Sequence, residues 1–221
     1  VDEIALPYLA DASYLNMNDV IHAALRRDFE RLRAATAALE VGDTARVHAL
    51  REAWDFIWGE LHHHHITEDR LVWPFVLERD LVPRDLTDQM EAEHQRMAIA
   101  CGRLSEAFRE LEAQPTTAHL IALRAQLEFA VKVAEEHLVH EERDVMPVLE
   151  PHWGTPAWKV VEREMAKVSP FTAGGMMAWL QDGSDPVVHA ALRRHFPAAL
   201  LWAASNVFGR AYHRTVAPVW R

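Results

Sequence analysis

The chain has 221 residues, half of them hydrophobic, and a formal net charge of −10. That is enough for one sizeable core without covalent staples, while the negative balance excludes general nucleic-acid binding and the single cysteine, Cys101, excludes an intrachain disulfide. No apolar run approaches the roughly 20 residues of a membrane span, and residues 1–16 lack the basic start and apolar stretch of a leader, so the expected setting is the reducing cytoplasm.

Residues 1–13 read as an irregular arm around Pro7. A first helix is predicted over about 15–40, stopping at Gly42-Asp43. A second starts near Thr44 and runs to about Glu78, with Pro74 set to kink it or end its regular part. Pro83 marks the next turn. A third helix spans about 84–113 and ends before Pro115, and a fourth runs from Thr116-Thr117 to about Leu149, with Pro147 near its end. Pro151 and Gly154 then punctuate a break. Thr155-Pro156, Ser169-Pro170 and Asp185-Pro186 each join a capping side chain to proline at the first helical position. They predict shorter helices near 156–168, 170–181 and 186–195, with another after Pro197. No segment carries a strand period. The expected fold is all-α: an antiparallel up-down four-helix bundle within residues 1–150, followed by a helical C-terminal extension over residues 151–221.

Each long helix carries an apolar stripe in steps of four and three, and histidine interrupts all four stripes. The first runs through Leu15, Asn18, His22, Leu25 and Phe29. The second runs through Trp54, Ile57, Leu61, His64, Glu68 and Leu71. The third holds Met90, His94, Met97 and Cys101, and the fourth Ala130, Ala134, His137, Glu141 and Val145. Short turns make sequential helices antiparallel, so depth can be compared. His22 and His64 lie about 20 and 22 residues from the first turn, and His94 and His137 about 21 and 22 from the third. At about 1.5 Å per residue the four imidazoles reach similar depth. A weak repeat reinforces this: His64-x3-Glu68-x5-Pro74 matches His137-x3-Glu141-x5-Pro147 in spacing.

Four imidazoles and two carboxylates in one core are costly unless something pairs with them. A pair of metal ions would. Histidine and glutamate four apart project from one helix face, glutamate can bridge two ions, and imidazole with carboxylate suits iron, zinc or manganese. The open positions left on such ions are where oxygen, peroxide, nitric oxide or water would bind.

On these residues the chain resembles the hemerythrin-like, or HHE cation-binding, family over about residues 15–150. The carrying residues are His22, then His64 and Ile66-Thr67-Glu68-Asp69 leading to Trp73-Pro74, then Glu93-His94, then His137 with Glu141-Glu142 leading to Met146-Pro147. The resemblance implies a four-helix bundle with a non-haem di-iron centre bridged by oxide or hydroxide. It implies small-oxidant chemistry: some members bind oxygen reversibly, and others sense iron or oxygen, or deal with nitric oxide or peroxide. Carried over by position, His22, His64, His94 and His137 would be terminal ligands, and Glu68 and Glu141 would bridge. The expectation is a sensor or binding module, the alternative a di-iron enzyme of peroxidase, catalase-like or oxidase type.

The third helix departs from the family pattern. Oxygen-carrying hemerythrin uses two histidines there, four residues apart, whereas the positions four away from His94 are Ala98 and Met90. One nitrogen is missing, which favours turnover chemistry or a substitute ligand. Candidates are His63, His65, Asp69 and Glu142, each one position off the stripe. The simpler expectation is that His62, His63 and His65 face the flank or solvent, with orientation of His64 their next role. A ferritin-like site needs Glu-x-x-His on two helices. Glu60-x-x-His63 and Glu91-x-x-His94 match by letter, but Glu60 and His63 leave the stripe and the fourth helix has no such motif. Cys101 is expected as a small core residue, and Met90 and Met97 as water-excluding neighbours of His94. The extension is rich in tryptophan, alanine and arginine from Met176 to Trp220. It offers a cap, a homodimer surface or a dock for a protein partner, with His189, His195 and His213 structural or at the surface.

Overall fold

The computed structural model describes residues 15–221; the expected arm at 1–13 lies outside them. The chain is all-helical, with no strand among the described residues. The long helices are α1 (Met17–Ala37), α2 (Thr44–Thr67), α4 (Arg84–Ala113) and α5 (Thr117–Asp144), with the short α3 (Trp73–Leu77) after α2 and α6 (Met146–Leu149) after α5. Then come α7 (Trp158–Met165), α8 (Pro170–Gln181), α9 (Pro186–His195), α10 (Ala198–Ala203) and α11 (Arg210–Thr215). The helix starts follow their side-chain caps: Asp43 accepts from the backbone N–H of Arg46, Thr116 from His119, Ser169 from Thr172 and Asp185 from Val187. At Thr155 the hydroxyl accepts from the Trp158 N–H, so the predicted helix starts two residues later than Pro156.

The second predicted helix is not simply kinked at Pro74. Residues Glu68–Val72 form a π-helical turn, in which the Trp73 N–H donates to the Glu68 carbonyl five residues back. Pro74 has no N–H to offer, and in an α-helix its ring would strike the carbonyl of Arg70; the wider turn relieves both. Pro147 acts similarly, since α5 stops at Asp144 before α6 resumes at Met146. Residues after Pro197 split around a second π turn, Ala204–Phe208.

The described residues form two compact units, 15–31 with 169–221 and 32–168. In the larger unit, cross-helix bonds give the helix directions. His48 and Arg51 meet Glu112, the Trp54 indole donates to Ser105 at 2.8 Å, and Asp69 meets His94. Partner numbers on α4 fall as those on α2 rise, so the two are antiparallel. The end of α1 runs antiparallel to α5: Arg33 pairs with Glu128, and Arg124 donates to the carbonyls of Thr36, Ala37 and Leu39. Those contacts satisfy carbonyls that the end of α1 leaves open. A cluster of Trp73, Phe75, Val76, Met146, Leu149 and Trp158 closes one end of this unit, with the Phe75 and Trp158 rings edge to face at 5.1 Å.

The smaller unit is held around Asp28, which is fully buried. Its carboxylate accepts from the Trp179 indole at 2.7 Å, from Arg27 at 2.7 Å and from Arg31 at 2.9 Å. Arg27 and Arg31 also donate to the carbonyls of Trp179 and Asp182. Tyr212 donates to Asp182 at 3.1 Å. Gly174 lets α8 meet the π turn closely, since any Cβ there would strike Phe208 and Gly209.

Candidate metal centre

Position along α2 decides which of four adjacent histidines point inward. His62 and His63 are exposed, His64 is half-buried and His65 is 3 % exposed. Glu68 lies four residues after His64 and three after His65, so both imidazoles flank its side of the helix. The expectation that His65 faces the flank is therefore corrected: His65 lies in the core. Its ring stacks on His94 at 4.1 Å and 11° and meets His137 edge-on at 5.3 Å. His63 and Glu91 are exposed, so the ferritin-like letters do not converge.

On α4, His94 is buried and its Nδ1 lies 2.8 Å from Asp69 Oδ1. Asp69 also accepts from the Trp73 indole at 2.9 Å. On α5, buried His137 directs Nδ1 to Glu93 Oε2 at 3.1 Å. Glu93 Oε1 in turn meets His140 Nδ1 at 2.9 Å, and His140 Nε2 lies 3.2 Å from Asp144. The carboxylates claim the Nδ1 protons and so leave the Nε2 lone pairs of both histidines facing inward. Those two Nε2 atoms are 3.2 Å apart. Two opposed lone pairs repel unless a proton or a metal ion lies between them. Two nitrogens on one first-row ion, at bonds of about 2.0–2.1 Å, stand about 3.0–3.4 Å apart, and the observed separation falls inside that range.

The ligand atoms of His65, His94 and His137 all lie within 4.8 Å of one another, as do those of His64 and Glu141. Glu68 Oε1 is 3.1 Å from His64 Nε2, and Glu68 Oε2 is 3.6 Å from His94 Nε2. His137 Nε2 lies 3.8 Å from Glu141 Oε2. Burial, and then the neighbouring Glu141, hold the Glu68 carboxyl well above its usual range. Glu68 Oε2 is buried with no hydrogen-bond partner among the described residues. Two acidic groups driven together out of water suit a shared cation. Cys101 is buried and its thiol is pushed up to about 12, so no thiolate competes; nitrogen and carboxylate donors fit iron, zinc or manganese. His22 is fully buried on α1, in the smaller unit.

The profile of the hemerythrin HHE cation binding domain matches residues 15–149. The chain belongs to that family. No curated protein and no solved structure matches the chain significantly. The hemerythrin-domain match covers α1 to α6 and stops before α7. No helix among the described residues is long and apolar enough to cross a membrane.

Sequence reasoning left His65 as one of four substitutes and did not see Glu93 as a partner of His137. The usable signal for Glu93 was its place beside His94. The signal for His65 was its spacing of three from Glu68, the second of the two spacings that share a helix face.

Proposed function

We propose that the family domain is an antiparallel four-helix bundle holding two iron ions, and that it binds a small oxidant there as a sensor or binding module. The residues that would hold them are His22, His64, Glu68, His94, His137 and Glu141, with Glu68 and Glu141 as the carboxylates that would be shared; His22 enters on its stripe and depth in the sequence. The observation that carries the reading is the pair of Nε2 atoms of His94 and His137, 3.2 Å apart with both Nδ1 atoms held by carboxylates. An iron pair supplies redox and Lewis-acid chemistry that none of these side chains has. The chain's part is to orient the donors and exclude water. Asp69 and Glu93 set the imidazole tautomers, and Met90 and Met97, both fully buried, place apolar side chains one turn to either side of His94 on α4. Oxygen, nitric oxide and peroxide are small enough for so closed a site.

The sensor reading is supported by the smaller unit. It contains His22 and, less than two turns further along α1, the buried Asp28 that binds Trp179 of the extension. A displacement of α1 at His22 would reach residues 169–221 directly, where a second copy or a partner protein could read it. The second reading is a di-iron enzyme of peroxidase, catalase-like or oxidase type. What favours it is the run His137, Glu93, His140 and Asp144, from a buried imidazole to a half-buried carboxylate, which offers protons a way in. The test is iron analysis with optical spectra before and after oxygen or peroxide. Close to two irons per chain and a change reversed by removing oxygen are expected. Failure to hold iron rejects the centre, and sustained peroxide consumption above free iron selects the enzyme.

A further inference from the structure

We infer that His65 is a metal ligand, supplying from α2 the nitrogen that α4 lacks at Ala98 and completing a three-histidine face with His94 and His137. The inference rests on the two-iron reading above.

The internal repeat shows what is unusual about this position. Aligning His64-x3-Glu68 with His137-x3-Glu141 sets His65 against Leu138. Both positions are buried, at 3 % and 1 % exposure. The fold therefore requires a core residue three before the glutamate, and on α5 an apolar one serves. An imidazole in that slot carries a desolvation cost that leucine does not. It is offset when a ring nitrogen meets a cation.

Geometry agrees with that use. His65, His94 and His137 bring one ligand atom each to within 4.8 Å of the others. Two of the three already stand at the spacing of neighbouring ligands on one ion. The three rings come from three different helices. His137 meets the other two edge-on, whereas His65 stacks on His94 at 11°, so ligation turns the His65 ring about its side-chain torsions until its lone pair meets theirs. Ala98 is only half-buried on α4, whereas His65 reaches the cluster from across the interface. The nitrogen count thus equals that of the oxygen-carrying pattern, by a different route. The two ions become unlike: one holds three nitrogens, and the other sits on the His64 side with fewer.

The test is anaerobic titration of the full chain with ferrous iron, followed by iron analysis, competition with a chelator and Mössbauer spectra. Wild type should hold two irons in unlike environments. His65→Leu copies the Leu138 solution, so it should fold while losing affinity for one iron about tenfold or more. His63→Ala, at an exposed neighbour, should change nothing. Two irons at wild-type affinity and unchanged spectra in His65→Leu would overturn the inference while leaving the two-iron centre standing. A wild type that holds no iron pair would overturn both. Should His65→Leu not fold, His65→Ala with added imidazole reads the same point: imidazole restores the lost iron if His65 is a ligand, and its lack of effect on a lost or retained iron counts against it.

Discussion

Asp69 Oδ1 lies 2.8 Å from His94 Nδ1, and the contact joins the π turn to α4. The Trp73 indole steadies the same oxygen at 2.9 Å. Asp69→Ala removes the acceptor that fixes the His94 tautomer but leaves every proposed ligand in place. Iron affinity should fall about 10–100-fold with secondary structure retained, measured by chelator competition and circular dichroism. Unchanged affinity would reduce Asp69 to a packing residue.

Replacing Glu68 or Glu141 by alanine should cost both irons together. Each glutamate is proposed to sit between the ions, so its loss removes an anion shared by two cations. His64→Ala should weaken mainly one. Iron analysis across a ferrous titration separates the two patterns, and one full-strength iron in Glu68→Ala would show that Glu68 does not bridge.

The metal-free protein should become less stable as pH rises from about 4.5 to about 7. Burial raises the Glu60 carboxyl from 4.5 to about 7, and Glu68 is also held well above its usual range. A carboxyl whose pKa is raised on folding binds more protons folded than unfolded, so stability falls with pH between the two values. Glu60→Gln should flatten the slope in that window, read from Tm against pH. Iron should remove the share due to Glu68, because metal replaces the proton there.

Iron should also raise Tm at fixed pH, since ligand binding to the native state adds to folding free energy. Equal melting with and without iron would mean the core imidazoles and carboxyls are already satisfied.

Trp179→Phe removes the indole N–H that Asp28 accepts at 2.7 Å. A buried charged acceptor that loses a donor costs about 1–3 kcal/mol. In the sensor reading the same change should also weaken the response of residues 169–221 to oxidant, followed by hydrogen exchange of α8 with and without oxygen. Full transmission in Trp179→Phe would argue against a route through Asp28.

Ala98→His tests the coordination count directly. With His65 in the nitrogen position, a second histidine on α4 has no vacancy to fill, and iron content and oxidant response should stay as in wild type. A changed spectrum would show that the position on that side is open.

Much of this was legible in residue spacing. Helices, their caps and their stripes depend on neighbours three and four apart, so Ser169-Pro170 and Asp185-Pro186 mark helices that begin where predicted. Depth followed from turn length, and it brought His94 and His137 together across α4 and α5. Spacing put His64 on the stripe; what it could not decide was whether His65 joins it in the core. Four successive side chains sweep most of the way round a helix, and a core-facing stripe about 100° wide admits two of them. The second is settled by partners across the interface: the His65 ring meets His94 and His137. The same holds for Asp69 and Glu93, whose roles depend on imidazoles carried by other helices. The π turn at Glu68–Val72 was foreshadowed by Pro74 alone, because proline removes a bond without saying how the backbone will compensate. Where residues 169–221 go was not legible at all: the burial of Asp28 against Trp179 joins positions 151 residues apart, and no local period encodes a contact of that separation.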